Sequence, residues 1–177
     1  MRKEILFSES IIQNKIYYLG KQISKDYYHD DLILICVLKG SYMFFSDLIK
    51  HIKIRNEPLI DFIQLSSYSG TESTGQIKIK KDVDIEISGK DVLIIEDIVD
   101  TGLTMNYLIN HFNKRNCKTV KVCSLLQKPS KMKSDVYVDY AGFLIEDDFV
   151  IGFGLDYNEK YRTLPEIFKF IPENSLI

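Results

Sequence analysis

The sequence predicts an α/β fold in which a parallel, twisted sheet is flanked by helices. Three observations carry that prediction. The apolar runs LILICVL (32–38) and DVLIIEDIV (91–99) are continuous rather than alternating, the pattern of strands buried on both faces. Such runs lead through a small turn into helical periodicity and then into another strand, the order that builds parallel sheets. The 177 residues, 45% hydrophobic and 27% charged, contain no repeat, low-complexity tract or Gly/Ser/Pro-rich linker. A single domain over 1–177 is therefore expected, long enough to remove roughly 70% of the unfolded chain's surface from water.

In chain order, Ile12, Ile16, Leu19, Ile23 and Tyr27 follow helical spacing and predict a first amphipathic helix, with Ser10 and Gln13 as its capping box. LILICVL is a strand, and GSYMFFSDLIKHI turns at its Gly and Ser into an apolar helix. IDFIQLSSY, Ile60 to Tyr68, is a further strand; SGTESTG after it is a polar, Gly-bracketed loop expected to be mobile. QIKIKKDVDIEI alternates apolar and charged residues, as a half-exposed strand or hairpin arm does. DVLIIEDIV, a helix from Thr104 to Asn116, and TVKVCSLL repeat the strand, helix, strand unit. YAGFLI, FVIGFGLD and YRTLPEIFKF supply strand-like material for a small cap over one end of the sheet.

Composition excludes several classes of function. With 23 basic and 25 acidic residues the formal charge is -2, so no global positive field gathers nucleic acid. No run approaches the ~20 apolar residues that span a bilayer, and none resembles a signal peptide. Cys36, Cys117 and Cys123 are odd in number and lack CxxC spacing, which points to free thiols in a reducing, cytoplasmic setting. His29, His51 and His111 are scattered and form no metal or triad pattern.

The chemistry concentrates in VLIIEDIVDTGLTM (92–105). Ligands of open parallel sheets bind beyond the carboxyl ends of the strands, where the next helix presents free N–H groups. DTGLT places two hydroxyls, a glycine and consecutive N–H donors there, the parts of a phosphate cradle. Glu96, Asp97 and Asp100 would repel a phosphate at that spot unless they serve another portion of the ligand or a cation. Paired carboxylates accept hydrogen bonds from vicinal sugar hydroxyls or hold Mg²⁺ through water. A sugar phosphate satisfies both halves of the motif; simple helix capping by the acids is the alternative.

This stretch resembles the ribose-phosphate signature of type I phosphoribosyltransferases, and its Glu-Asp pair followed by Asp-Thr-Gly is most similar to the hypoxanthine-guanine (6-oxopurine) enzymes. The likeness continues in family order through LKGSY, SSYSGTESTG, LLQKPS, DFVIGFGLDYNEKYR and the final Leu-Pro, over roughly residues 32–165. It implies a parallel-sheet core (about 30–145) with a hood from the N-terminal segment and about 146–177, assembly as a homodimer or homotetramer, and Mg²⁺-bound phosphoribosyl pyrophosphate as the donor to a purine base.

By that resemblance Glu96 and Asp97 hold the ribose hydroxyls and, through water, a Mg²⁺. Asp100, Ile98, Val99, Thr101, Gly102, Leu103 and Thr104 surround the ribose 5′-phosphate and base, and Asp100 is the general base for the purine N7 proton. Leu103 stands where some relatives carry lysine, leaving the phosphate more dependent on backbone donors. Lys128 donates to the purine 6-oxo group, which an ammonium does while rejecting a 6-amino group. Phe149 stacks on the purine opposite Ile98, and Val150 meets its edge. Asp156 binds a Mg²⁺ associated with pyrophosphate, and Arg162 pairs with the pyrophosphate itself. Lys39 and Gly40 form the pyrophosphate loop, where a non-proline cis peptide is expected. Ser67 and Tyr68 form the tip of a lid that excludes water.

The implied activity is purine salvage, joining hypoxanthine or guanine to the ribose phosphate and releasing pyrophosphate. Two rivals use the same fold: a regulator that binds nucleotide and RNA, which would need a basic surface, and a non-catalytic sugar-phosphate sensor.

Overall fold

The computed structural model describes residues 2–67 and 77–171. A sheet in the order β4-β3-β2-β5-β6-β7 forms its centre. The strands are β2 (Leu32–Leu38), β3 (Leu59–Ser67), β4 (Ile77–Lys81), β5 (Asp91–Val99), β6 (Thr119–Gln127) and β7 (Tyr140–Leu144). β2, β3, β5, β6 and β7 run parallel, while β4 pairs antiparallel with the edge of β3. Burial follows sequence character: β2 and β5 lie at the centre and are buried almost throughout, whereas the alternating β4 is a partly exposed edge.

Helices cover both faces. On one, α1 (Glu9–Asp26) and α2 (Tyr42–Ile49) bury Ile12, Ile16, Ile23, Phe44 and Leu48 against Leu34, Cys36, Leu93 and Ile95. On the other, α3 (Leu103–Asn113) buries Met105, Leu108 and Phe112 against Ile33, Ile35, Val92 and Ile94. Alternate residues of β2 and β5 thus feed two separate cores, as the period of a strand dictates.

The predicted cap of α1 is corrected. The helix begins two residues earlier than a Ser10 cap requires: Ser8 is the extended N-cap residue and makes no side-chain cap bond. Ser10 lies within the helix, and Gln13 donates to Asp47 Oδ2 at 2.7 Å, tying α1 to α2 instead. The predicted arm over 76–87 is likewise shorter. After Lys81 the chain leaves the ladder because the buried Asp61 carboxylate accepts the N–H groups of Asp84 (2.7 Å) and Ile85 (3.2 Å). The third helix stops at Asn113 rather than Asn116, whose φ of 58° is left-handed and ends the turn that follows.

A second, three-stranded sheet is ordered β1-β9-β8, from β1 (Arg2–Phe7), β8 (Val150–Ile151) and β9 (Ile167–Ile171). Both its pairings are antiparallel. Val150, Phe153, Leu155 and Ile167 join the core cluster of α1 and α2, so this small sheet is packed onto the main one. Cys36, Cys117 and Cys123 are free thiols, and no helix among the described residues is long and apolar enough to cross a membrane.

Candidate active site

β5 carries the acidic cluster out of the core. Its neighbour β6 runs parallel in the register Glu96↔Ser124, Ile98↔Leu126 and Val99↔Gln127. Beyond that register the Lys128 N–H donates to Val99 O (2.9 Å), so the two strand ends deliver Asp100 and Lys128 side by side. Lys128 is 6% exposed, and its Nζ stands 3.4 Å from both Asp100 Oδ2 and Asp147 Oδ1. Lys131 Nζ completes the arrangement at 2.9 Å from Asp147 Oδ1 and 3.6 Å from Asp100 Oδ1. Asp100 Oδ1 is buried and has no hydrogen-bond partner.

Glu96 and Asp97 are 8% and 9% exposed. Burial pushes the Glu96 carboxyl well above the usual range, and the neighbouring Asp97 charge adds to it. Burial also raises Asp97, against the lowering effects of its contact with Glu96, the Ile98 N–H (2.8 Å) and the Arg162 charge. Two buried carboxylates with little cation beside them leave an electrostatic deficit that a cation or a set of hydroxyl donors relieves. Their oxygen-only chemistry suits Mg²⁺. Among the described residues no three His, Cys, Asp or Glu side chains gather into a metal cage.

The loop after β5 turns at Gly102, whose φ of 76° suits glycine, and passes into α3. A recess of about 90 Å³ there is lined by Glu96, Ile98, Val99, Asp100, Thr101, Gly102, Thr104 and Met105. First-turn N–H groups of a helix have no intrahelical partner and face such a recess. The segment after Lys128 braces the loop from outside: Lys133 N–H donates to Thr101 O (2.9 Å), and Met132 and Ser134 lie where a Cβ on Gly102 would project. Leu103 is exposed.

A second recess, of about 240 Å³, adjoins the first through Ile98 and Asp100 and is completed by Asp97, Lys128, Phe149, Val150, Leu155 and Asp156. Ile98 and Phe149 thus line one slot, with Phe149 held edge-on by Tyr157 at 5.9 Å. Asp156 Oδ1 pairs with Arg162 Nη2 at 2.9 Å, and Arg162 Nη1 donates to Gly154 O at 2.8 Å. Glu159 Oε2 is 3.1 Å from Lys39 Nζ and 3.1 Å from Arg162 Nη2.

The cis peptide is Leu38–Lys39, the bond that enters the Lys39-Gly40 pair. Gly40 lies directly on the Asp97 carboxylate, with no room for a Cβ, and Gly154 is packed as closely on Gly40 O. The loop after β2, the end of β5 and the segment after β8 therefore interlock around Asp97. Ser67 is the last described residue of β3; Tyr68 and the Gly-bracketed segment after it lie outside the described residues.

Sequence reasoning missed Asp147, Lys131 and Glu159. Each acts on another side chain of the site. Asp147 and Lys131 flank Lys128 in space, yet Asp147 sits inside the acidic run EDD and Lys131 among other lysines, where ordinary surface charge looks the same. Glu159 lay inside the motif DYNEKYR but between the two residues that drew attention.

Comparison with known proteins identifies the family. Residues 5–158 match the phosphoribosyl transferase domain family. Over 166 residues the chain is 46% identical to the hypoxanthine-guanine phosphoribosyltransferase of Bacillus subtilis, covering 93% of this chain and 91% of the relative. The crystal structure of a hypoxanthine phosphoribosyltransferase from Staphylococcus aureus superposes with a TM-score of 0.91 at 46% identity, over 97% of this chain and 93% of that one. The hypoxanthine phosphoribosyltransferase of Trypanosoma cruzi in complex with the product IMP gives 0.87 at 41% identity, over 96% and 94%. With identity sustained along nearly the whole length and the fold shared throughout, this chain belongs to the phosphoribosyltransferase family, among its hypoxanthine-guanine members.

Proposed function

We propose that this chain is a purine-salvage enzyme that transfers the 5-phosphoribosyl group from phosphoribosyl pyrophosphate to hypoxanthine, guanine or both, forming IMP or GMP and pyrophosphate. The observation that carries the reading is the pair of adjoining recesses that meet at Asp100, one lined by a glycine-hydroxyl loop at a helix start and the other by an aromatic, an aliphatic and a buried lysine. A sugar phosphate fits the first and a flat 6-oxo base the second, with the anomeric carbon between them.

The roles follow from that placement. Glu96 and Asp97 hold the ribose hydroxyls; Thr101, Gly102, Leu103 and Thr104, with the flanking Ile98 and Val99, cradle the 5′-phosphate through backbone donors and hydroxyls. Phe149 and Ile98 sandwich the base, Val150 meets its edge, and Lys128 donates to its 6-oxo oxygen. Asp147 and Lys131 keep Lys128 aimed by sharing its charge network. As purine N9 approaches the anomeric carbon, Asp100 Oδ1 accepts the N7 proton; that this oxygen is buried and accepts no hydrogen bond, with the Lys131 ammonium 3.6 Å away, supports it as the receiving atom. Positioning supplies most of the effect, because a carboxylate is a weak base at neutral pH. Lys39, Gly40 and Arg162 receive the pyrophosphate; the lid role of Ser67 and Tyr68 rests on the family resemblance alone, Tyr68 lying outside the described residues. Asp156 and, through water, Glu96 and Asp97 would hold a Mg²⁺ that arrives with the donor, and it would supply neutralisation of the diphosphate charge.

The chain works as a single domain, a main-sheet core with the small sheet as its hood, in the cytoplasm and without nucleic acid or membrane. A homodimer or homotetramer is supported by the apolar residues that β3 leaves open. Leu59, Ile60 and Phe62 remain exposed, beside a groove of about 410 Å³ lined by Ile49, Ile52, Ile54 and Pro58. The decisive experiment offers hypoxanthine, guanine, xanthine, adenine and uracil with phosphoribosyl pyrophosphate and Mg²⁺ and follows nucleotide formation. Turnover of hypoxanthine or guanine with adenine and uracil left untouched is expected; no turnover of any 6-oxopurine sinks the reading.

A further inference from the structure

We infer that Glu159 is an internal stand-in for the pyrophosphoryl group, holding Lys39 and Arg162 in the substrate-free chain and giving them up to phosphate oxygens when substrate binds. The inference rests on the reading of Lys39 and Arg162 as the pyrophosphate subsite. A single oxygen, Glu159 Oε2, takes both cations, one from the loop after β2 and one from the segment after β8, at 3.1 Å each. An anion shared in this way by cations from two separate segments sits where a phosphate oxygen would sit.

The backbone is built to present it. Tyr157 and Lys160 exchange N–H···O bonds at 3.1 Å in both directions, closing a two-residue turn. Its central residues, Asn158 and Glu159, are both left-handed, with φ of 53° and 61°. Two-residue turns of this kind favour Asn followed by Gly, because a Cβ in the left-handed region clashes with the backbone. The turn itself has no use for a long acidic side chain; the cations do. Asp156 frames the turn, accepting the Glu159 N–H at 2.8 Å through Oδ2 while its Oδ1 meets Arg162 Nη2 at 2.9 Å.

The grip is weak by design of its exposure. The Lys39 and Glu159 side chains are 55% and 66% exposed, and exposed ion pairs exchange readily and contribute little. A diphosphate carrying several charges displaces the carboxylate, yet the carboxylate returns as pyrophosphate departs. Glu159 therefore keeps the two cations in place between turnovers and weakens product retention.

Titration calorimetry of the full chain with magnesium pyrophosphate and, separately, with IMP tests this in the wild type, Glu159→Gln and Glu159→Gly. Gln removes only the charge, whereas Gly also relieves the left-handed backbone. Both variants are expected to bind magnesium pyrophosphate about three- to tenfold more tightly, with IMP affinity unchanged and the gain shrinking at high salt. The KM for phosphoribosyl pyrophosphate falls in parallel without a rise in kcat. Equal or weaker pyrophosphate binding in both variants overturns the inference, as does a gain confined to Gly, which would make the effect one of backbone strain. A wild type that binds neither ligand removes the underlying subsite, and the inference with it.

Discussion

The two oxygens of Asp100 keep different company. Oδ2 lies 3.4 Å from the Lys128 ammonium, while Oδ1 is buried and accepts no hydrogen bond. A buried acceptor without a hydrogen bond, here with only the Lys131 ammonium at 3.6 Å, is costly unless a ligand uses it. Asp100→Asn keeps the shape and removes the ability to take a proton, so kcat is expected to fall by about 10²- to 10⁴-fold, while IMP affinity changes little. Steady-state kinetics beside direct IMP titration separates the two; unchanged turnover refutes Asp100 as the base. At this scale the sequence was legible where chemistry is written as contiguous motif: Glu96, Asp97, Asp100, Lys128, Phe149, Asp156 and Arg162 were all named, and most line the two recesses. Asp147, Lys131 and Glu159 were not, because their partners are side chains brought near only by folding.

Among elements, β2 and β5 were readable because a strand buried on both faces needs no partner to declare itself. β1 was not, since only Leu6 and Phe7 of RKEILF pack on the core and Ile5 is exposed, and its ladder partner β9 comes from the far part of the chain. The α1 cap failed for the opposite reason: a local motif lost its Gln13 to a tertiary contact with Asp47. The junction of β2 with α2 shows how elements meet at the site. Gly40 leaves no space between itself and the Asp97 carboxylate. That short side chain is tethered to the Ile98 N–H and has little freedom to retreat. Gly40→Ala is expected to lose about 1–3 kcal/mol of stability through overpacking, and to raise the KM for phosphoribosyl pyrophosphate at least tenfold by turning Asp97 aside. Thermal melts and initial rates check both, and a variant with wild-type KM would show that the close contact has no bearing on the sugar site.

For the molecule as a whole, the buried acidic pair has a cost in stability. Burial raises the Glu96 carboxyl above its unfolded value, so in the interval between the two values the folded state retains a proton that the unfolded chain releases. Stability from this group is complete below the ordinary carboxylate range and is lost as pH rises through the raised value. Glu96→Gln, in metal- and substrate-free protein, is expected to add about 1–2 kcal/mol at neutral pH, or roughly 2–8 °C in Tm. It should also flatten the decline in stability as pH rises from the ordinary carboxylate range through the raised value. Melting curves across that range decide it; equal slopes in variant and wild type would count against the burial account. The small sheet has a consequence in time as well as in space. Its ladder pairs Arg2 with Ile171 and Val150 with Lys169, and the Phe170 N–H reaches Phe149 O at 2.8 Å. The recess beside Gly102 is lined by the stretch from the end of β5 to the start of α3 alone. Closing the longest loop carries the largest entropic cost, so the recess beside Gly102 is expected to form before the slot that Phe149 and Val150 complete.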